Sequence, residues 1–188
     1  VLMLVSIDTS NGKITLFNIS RDAMVDVTMY SAGGAYAGTE KQQICLSYAY
    51  GDGKESSCEN TVNSVQRLFY NIPINTYFSL DLDGIAALND SIGGVEGQSY
   101  HLVGQQAESF VRTRDTSKVD SNNMRMQRQK VYIQSFMNTV IQQTKKDLTT
   151  PLDLFNASAP YSCTNLNPSK VTYLAQQAVL GGMNGIDM

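Results

Sequence analysis

The chain has 188 residues, with 14 Lys+Arg against 17 Asp+Glu, a formal net charge of −3 and a pI of about 5.1. One domain with a real core is expected at this length, since domains commonly hold about 100–200 residues, and 42% hydrophobic residues exclude compositional disorder. The acidic balance speaks against a nucleic-acid binder that relies on broad phosphate attraction.

Val1–Ile7 and Lys13–Ile19 are apolar, β-branched runs separated by Asp8-Thr-Ser-Asn-Gly12. Asn-Gly tolerates positive φ at both positions, so this reads as two strands joined by a tight hairpin. The first strand begins at the first residue, which leads to the expectation that the chain is trimmed and that an anchor of the parent protein precedes it. No stretch of the chain itself approaches the about 18–20 apolar residues of a membrane span. Residues 26–42 are rich in Gly, Ser and Thr and read as a loop. Val62, Val65, Leu68 and Phe69 have helical spacing over 60–70, with a stop at Asn71-Ile-Pro73. A strand is expected over 76–81, and short helices over 83–92, ended by Gly93-Gly94, and over 103–110. The longest helix is expected over 123–146, burying Val131, Ile133, Phe136, Met137, Val140 and Ile141, with Lys145-Lys146 at its negative end. A last helix begins at Asn167-Pro168, a cap followed by Pro at the first helical position. Strands interleaved with helices indicate a single α/β domain, a three-layer α/β/α sandwich with a central mixed sheet. The junction Glu96–Gly97 joins the end of one element to an unrelated turn, and a segment is expected to be missing there.

The three cysteines, Cys45, Cys58 and Cys163, lack the CxxC pairing of a zinc or redox site. Cys45 and Cys58 bracket a Gly-containing segment that can double back, so either a disulfide closes it or both remain buried thiols. His101 has no nucleophile partner in any recognisable pattern and reads as structural.

Only six residues are Arg, and four of them, Arg112, Arg114, Arg125 and Arg128, fall within 17 residues. In an extended segment Arg112 and Arg114 point to one face. Arg125, Arg128 and Gln129 share one face near the start of the long helix. Guanidinium forks bind phosphate oxygens bidentately and helix N-termini attract anions, so this set points to a compact, multiply charged anion such as a diphosphate. The alternative is solvated arginines paired with Asp115 and Asp120. Arg21-Asp22 at a strand end is a weaker signal of the same kind. With no GxSxG, P-loop or other nucleophile signature, phosphoryl chemistry by positioning and charge neutralisation fits better than covalent catalysis.

Several segments in order resemble LytR-CpsA-Psr domains: Val1–Asp8, Lys13–Asp22, Leu46–Gly51, Asn60–Asn63, Ile72–Tyr77, Asp83–Ile85 and Ile92–Val95. The most specific piece is Leu102-Val-Gly-Gln-Gln-Ala107, leading to Val111-Arg-Thr-Arg-Asp115 and Arg125-Met-Gln-Arg-Gln129. The resemblance implies a magnesium-dependent phosphotransferase of Gram-positive cell walls, membrane-anchored with its domain outside the cell. It would move teichoic acid or capsular polysaccharide from an undecaprenyl-diphosphate carrier to peptidoglycan. It also implies a LytR-CpsA-Psr fold with a lipid-accommodating pocket, and no nucleic-acid partner. By matching positions, Arg21, Arg112, Arg114, Arg125 and Gln129 would contact the diphosphate, Asp22 would hold Arg21, and Arg128 would be structural. The acidic Mg2+ ligands of the family would fall upstream of Val1, and Asn122 stands where the family has an Asp. An external location favours the Cys45–Cys58 bridge. The rival readings are a non-catalytic binder of the lipid diphosphate and a pyrophosphatase acting on the carrier.

Overall fold

The computed structural model describes residues 1–96, 100–115, 117, 120–180 and 186–187. The expected break between Glu96 and Gly97 falls against residues 97–99, outside the described ones. The chain forms two compact units that interleave in sequence: Val1–Leu4, Asn18–Ser79 and Cys163–Leu166 make the first, and Val5–Phe17, Leu80–Ser162 and Asn167–Met188 the second. The α/β class and mixed strand pairing are as expected. Strands β1 (Leu2–Asp8), β2 (Lys13–Ile19) and β9 (Ile186–Asp187) form one sheet, with β2 and β9 parallel.

In the first unit, β3 (Met24–Tyr30) and β4 (Tyr36–Gln43) form an antiparallel hairpin where a loop was expected. Composition was the wrong guide there. Val25 and Val27 are buried and Asp26 is exposed, so the run alternates with the period of a half-buried strand. Ile19, Val25, Val27, Ile44 and Val65 make the core of this unit. Helix α1 (Glu55–Leu68) supplies Val65 and also Asn60, whose Nδ2 donates to the Thr28 carbonyl at 2.9 Å and the Ser47 carbonyl at 2.7 Å. It ends before Pro73 for a local reason. Tyr70 adopts a left-handed conformation (φ 56°), and Asn71 N–H closes back onto the Gln66 carbonyl at 2.7 Å, which satisfies an orphan carbonyl of the last turn. Arg67, near that end, donates to the Asp26 carbonyl and the Thr28 hydroxyl, so it is a structural arginine.

In the second unit the Asp8–Gly12 turn forms as its sequence dictates. The Asp8 carboxylate accepts from the Ser10 hydroxyl (2.6 Å), the Ser10 amide (2.9 Å) and the Asn11 side chain (2.8 Å), and these bonds hold its pKa below the usual value. Helices α2 (Leu82–Ser91), α3 (Gln105–Arg112), α4 (Ser121–Lys146), α5 (Thr150–Ser158) and α6 (Pro168–Leu180) carry most of the unit, with β6 (Val95–Glu96) and β7 (His101–Leu102) antiparallel between α2 and α3. The short strands β5 (Phe78–Leu80) and β8 (Ser162–Thr164), which lie mostly in the first unit, pair with each other. Asn167 caps α6 as expected, its Oδ1 accepting the Lys170 amide at 2.8 Å. Helix α5 and strand β8 were not anticipated.

One core joins Ile92, Val95, Leu102, Ala107, Val111 and Tyr132, and a second joins Ile14, Leu16, Ile141 and Ala178; Ile133 of α4 packs against both. On α4 the expected Ile133, Phe136, Met137, Val140 and Ile141 lie in or against these cores, and only at its start is the stripe shifted by one residue, Val131 being 47% exposed and Tyr132 only 6%. The hydroxyl of Tyr132 explains the shift: it donates to Oδ1 of the fully buried Asn89 at 3.0 Å, and Asn89 Nδ2 donates to the Leu102 carbonyl at 2.8 Å. Burial, with Asp90 nearby, pushes the Tyr132 pKa upward and keeps that proton in place. Gly94 (φ +93°) is required beside this node, because a Cβ there would lie 2.7 Å from the His101 ring and 2.8 Å from the Leu102 carbonyl.

Asn89→Ala should therefore destabilise the protein more than Tyr132→Phe. The first leaves a buried carbonyl and a buried hydroxyl without partners, at about 1–3 kcal/mol each, whereas the second removes one bond at about 1 kcal/mol. Urea unfolding of the two variants measures the difference.

Candidate functional site

The segment 105–129 belongs to the second unit and contains four of the six arginines. Gly104 starts α3, its amide donating to Asp90 Oδ1 at 2.6 Å. The helix then runs through Arg112, further than the sequence suggested. Arg112 is thus helical and not part of an extended Val111–Arg114 run, so the alternation argument for one shared face does not apply to it. Instead it stands one turn after Glu108, to which its Nη1 donates at 2.8 Å, and its side chain is 64% exposed. Arg114 lies beyond the helix and donates from Nε to the hydroxyl of buried Ser121, the first residue of α4, at 2.9 Å. Arg125 follows one turn into α4, with its Nε buried.

Arg128 and Gln129 perform a different task from the one spacing suggested for Gln129. Arg128 donates from Nε to the Phe110 carbonyl at 3.2 Å and from Nη2 to the Thr113 carbonyl, and Gln129 donates from Nε2 to the Val111 carbonyl at 3.0 Å. Three carbonyls at the C-terminal end of α3, where the helix dipole is negative and intrahelical donors run out, are satisfied from α4. These two side chains tie the elements together and so fix where Arg112 and Arg114 emerge. The expectation that Arg128 is structural fits this position. Asp120, offered by the sequence as a partner for solvated arginines, accepts from Asn123 Nδ2 at 2.6 Å; the Asn122 side chain is not among the described ones.

Arg21 and Asp22 belong to the first unit. As expected they face each other, Arg21 Nε lying 3.8 Å from Asp22 Oδ1, and both are more than half exposed. Arg21 Nη2 also meets the Cys45 sulfur at 3.7 Å. The expected Cys45–Cys58 bridge is not formed, and all three cysteines are free thiols. The Cys45 sulfur is turned to Arg21 and to Gln43 (4.0 Å), whereas Cys58 points into the unit from the first turn of α1.

Sequence reasoning did not find an open groove of about 820 Å3 beside Arg128, lined by Tyr100, Gln105, Gln106, Ser109 and Phe110 among others. The Tyr100 and Phe110 rings form one wall, with centroids 5.1 Å apart. Gln105 and Gln106 in the first turn of α3 and Ser109 in the next were the available signal. His101 also borders the groove, and its Nδ1 lies 3.7 Å from Glu96, its cross-strand neighbour, in agreement with a structural role. Among the described residues no three His, Cys, Asp or Glu side chains gather as a metal-binding set. Among the same residues, no helix is long and apolar enough to cross a membrane.

A profile of the LytR_cpsA_psr family matches residues 1–98 and 95–188, that is, the whole chain in two stretches that overlap beside the Glu96–Gly97 junction. This chain belongs to the LytR_cpsA_psr family. Among curated relatives, the polyisoprenyl-teichoic acid–peptidoglycan teichoic acid transferase TagU of Bacillus cereus is 24% identical over 188 residues, 90% of this chain and 55% of the relative. The chain thus spans about half the length of that relative, and 38% of TagU from Bacillus anthracis. Solved structures agree on the fold. TagV of Bacillus subtilis matches with a TM-score of 0.67 at 22% identity over 98% of this chain and 73% of that one. TagT bound to LI-WTA matches with 0.68 at 17% identity over 98% and 69%. The LytR-CpsA-Psr fold expected from the motifs is therefore the fold of this chain.

The ties from α4 to α3 predict that Arg128→Met destabilises the protein by about 1–2 kcal/mol, as expected for a half-exposed charged donor to backbone carbonyls. Amide exchange should quicken first at residues 110–114. Unchanged exchange there would remove the positioning role assigned to Arg128.

Proposed function

We propose that this LytR_cpsA_psr domain transfers an anionic glycopolymer, of teichoic acid or capsular polysaccharide type, from a polyprenyl-diphosphate carrier to peptidoglycan. The observation that carries the reading is the concentration of Arg112, Arg114 and Arg125 along the stretch where α3 ends and α4 begins, in a chain with only six arginines. Guanidinium groups beside a positive helix end suit a diphosphate in charge and in fork geometry. The family relatives named as teichoic acid transferases support the same substrate class.

In this reading a hydroxyl of the peptidoglycan acceptor attacks the phosphorus of the sugar-linked phosphate. A new P–O bond forms as the hydroxyl gives up its proton to water, the bond to the bridging oxygen breaks, and polyprenyl phosphate leaves. Negative charge grows on the bridging oxygen and the equatorial oxygens, and fixed guanidinium groups stabilise it without reorganising. Arg112, Arg114 and Arg125 would supply that charge. Asp22 would orient Arg21 within the first unit, and Arg128 and Gln129 would hold the end of α3 from which Arg112 and Arg114 are presented. The groove walled by Tyr100 and Phe110, with side-chain amides on α3, offers apolar faces and hydrogen-bonding groups to a sugar next to the diphosphate. The domain would work outside the cell, held near the membrane by an anchor in the parent protein.

Asn122 favours a second reading, a domain that binds the lipid diphosphate without turning it over, because an amide cannot accept the acceptor's proton. Incubation with a polyprenyl-diphosphate glycan and peptidoglycan fragments separates the two. Transfer gives polymer joined to peptidoglycan plus polyprenyl phosphate, the binder gives neither, and a pyrophosphatase gives polyprenyl phosphate without needing fragments. Arg112→Ala and Arg125→Ala should each reduce transfer by about 10²–10³-fold, the usual cost of one charge-stabilising donor, with the melting temperature little changed. Full activity in both variants would sink the proposal.

A further inference from the structure

The groove beside Arg128 lies wholly within the second unit, and the outer face of α3 forms one side of it. Gln105, Gln106, Ser109, Phe110 and Thr113 stand at i, i+1, i+4, i+5 and i+8, so all five project from one side of the helix, opposite buried Ala107 and Val111. At about 1.5 Å per residue they extend for about 12 Å along the helix axis. The Thr113 end of the groove is where the connection carrying Arg114 begins. Tyr100 and Phe110 add ring faces, their centroids 5.1 Å apart.

The hydrogen bonds within the lining decide what it offers a ligand. Arg128 gives Nε and Nη2 to the Phe110 and Thr113 carbonyls, and His101 Nδ1 lies 3.7 Å from Glu96. The Thr113 hydroxyl donates to the Ser109 carbonyl at 2.7 Å, and Gln106 Oε1 accepts the Val103 amide at 3.4 Å. Among the described residues, the exposed Gln105 carboxamide and Ser109 hydroxyl meet no partner. No Asp or Glu stands among the described lining residues. The groove therefore presents neutral donors and acceptors beside aromatic faces. A pyranose matches this, since its hydroxyl and acetamido groups exchange hydrogen bonds with carboxamides while its C–H faces lie on rings. A polymer with a phosphate in each repeat calls for cations, and the guanidinium here is already engaged by backbone.

We propose that this groove is the acceptor subsite, holding a neutral, β-linked N-acetylhexosamine strand of peptidoglycan type, with Gln105 and Ser109 as specificity-determining residues. The proposal rests on the transferase reading and sharpens it, assigning the sugar in the groove to the acceptor rather than to the anionic polymer. The open form of the groove supports this assignment. An acceptor hydroxyl belongs to a long strand that has to pass across its site, whereas the donor is held by its diphosphate end.

The test titrates the full chain with a neutral β-linked N-acetylglucosamine tetramer and, separately, with a glycerol phosphate oligomer, using calorimetry and amide chemical shifts. Saturable binding of the tetramer with shifts at residues 105–110, and none there from the phosphate oligomer, is the expected result. Replacing both side chains (Gln105→Ala with Ser109→Ala) should weaken tetramer binding about tenfold, as for two lost neutral hydrogen bonds. The Tm should stay as it is, because both side chains are exposed. In transfer assays the same double substitution should raise KM for peptidoglycan fragments about tenfold and leave KM for the lipid-linked donor unchanged. No tetramer binding, equal tetramer affinity with and without the two substitutions, or occupation of the groove by the phosphate oligomer would overturn the proposal. The titration needs no turnover, so a chain that binds the tetramer in the groove and transfers nothing supports the groove's ligand class while it counts against the transferase reading.

Discussion

Asn89 is the constraint on which the arginine-bearing half of the molecule rests. Its side chain is fully buried, and an amide in an apolar core is tolerated only when its hydrogen-bonding capacity is met. One end is met by the Leu102 carbonyl of β7 and the other by the Tyr132 hydroxyl of α4. A single residue of α2 thereby sets the position of the strand leading into α3 and the rotation of α4 about its axis. If α4 turned by one residue, Val131 would enter the core, Tyr132 would leave it, and Arg125, Arg128 and Gln129 would turn with them.

The charge pattern downstream follows from a conflict that this packing creates. The negative end of α3 and the positive end of α4 meet across a short connection, Thr113–Asp120. Unattended carbonyls at the end of α3 would compete with any anion for the nearby guanidinium groups. Arg128 and Gln129 occupy those carbonyls from α4. Among the described residues Arg112 meets the Glu108 carboxylate and Arg114 the Ser121 hydroxyl, both contacts that a more highly charged ligand can outbid. Identical residue types thus divide into one that braces and others that are displayed, a division set by which backbone groups lie within reach.

What could be read from the sequence was what local chemistry decides. The Asp8–Gly12 turn and the Asn167-Pro168 helix start were legible because the responsible side chains bond to backbone within three residues. The arginine cluster was legible as a concentration of charge, and the family motifs gave the fold. The role of Gln129 was not, because its partner, the Val111 carbonyl, lies far along the chain. The β3–β4 hairpin was hidden by its Gly and Ser content, although Met24–Tyr30 alternates as a strand should. The cysteine arrangement was unreadable in principle: nearness in sequence favoured Cys45 for Cys58, and the fold turns the Cys45 sulfur to Arg21 and Gln43 instead.

The two units differ in how the chain assembles them. The first is begun by residues up to Ser79 but contains Cys163–Leu166, which are made only after most of the second. During synthesis α1 and β5 therefore wait with an unpaired strand edge while more than eighty intervening residues emerge. Contacts of such long sequence separation form late, and the exposed edge is open to other chains until they do. The return of β8 is thus the event that ends the vulnerable period of this domain, and truncations before residue 163 should leave a species that aggregates rather than a smaller stable domain.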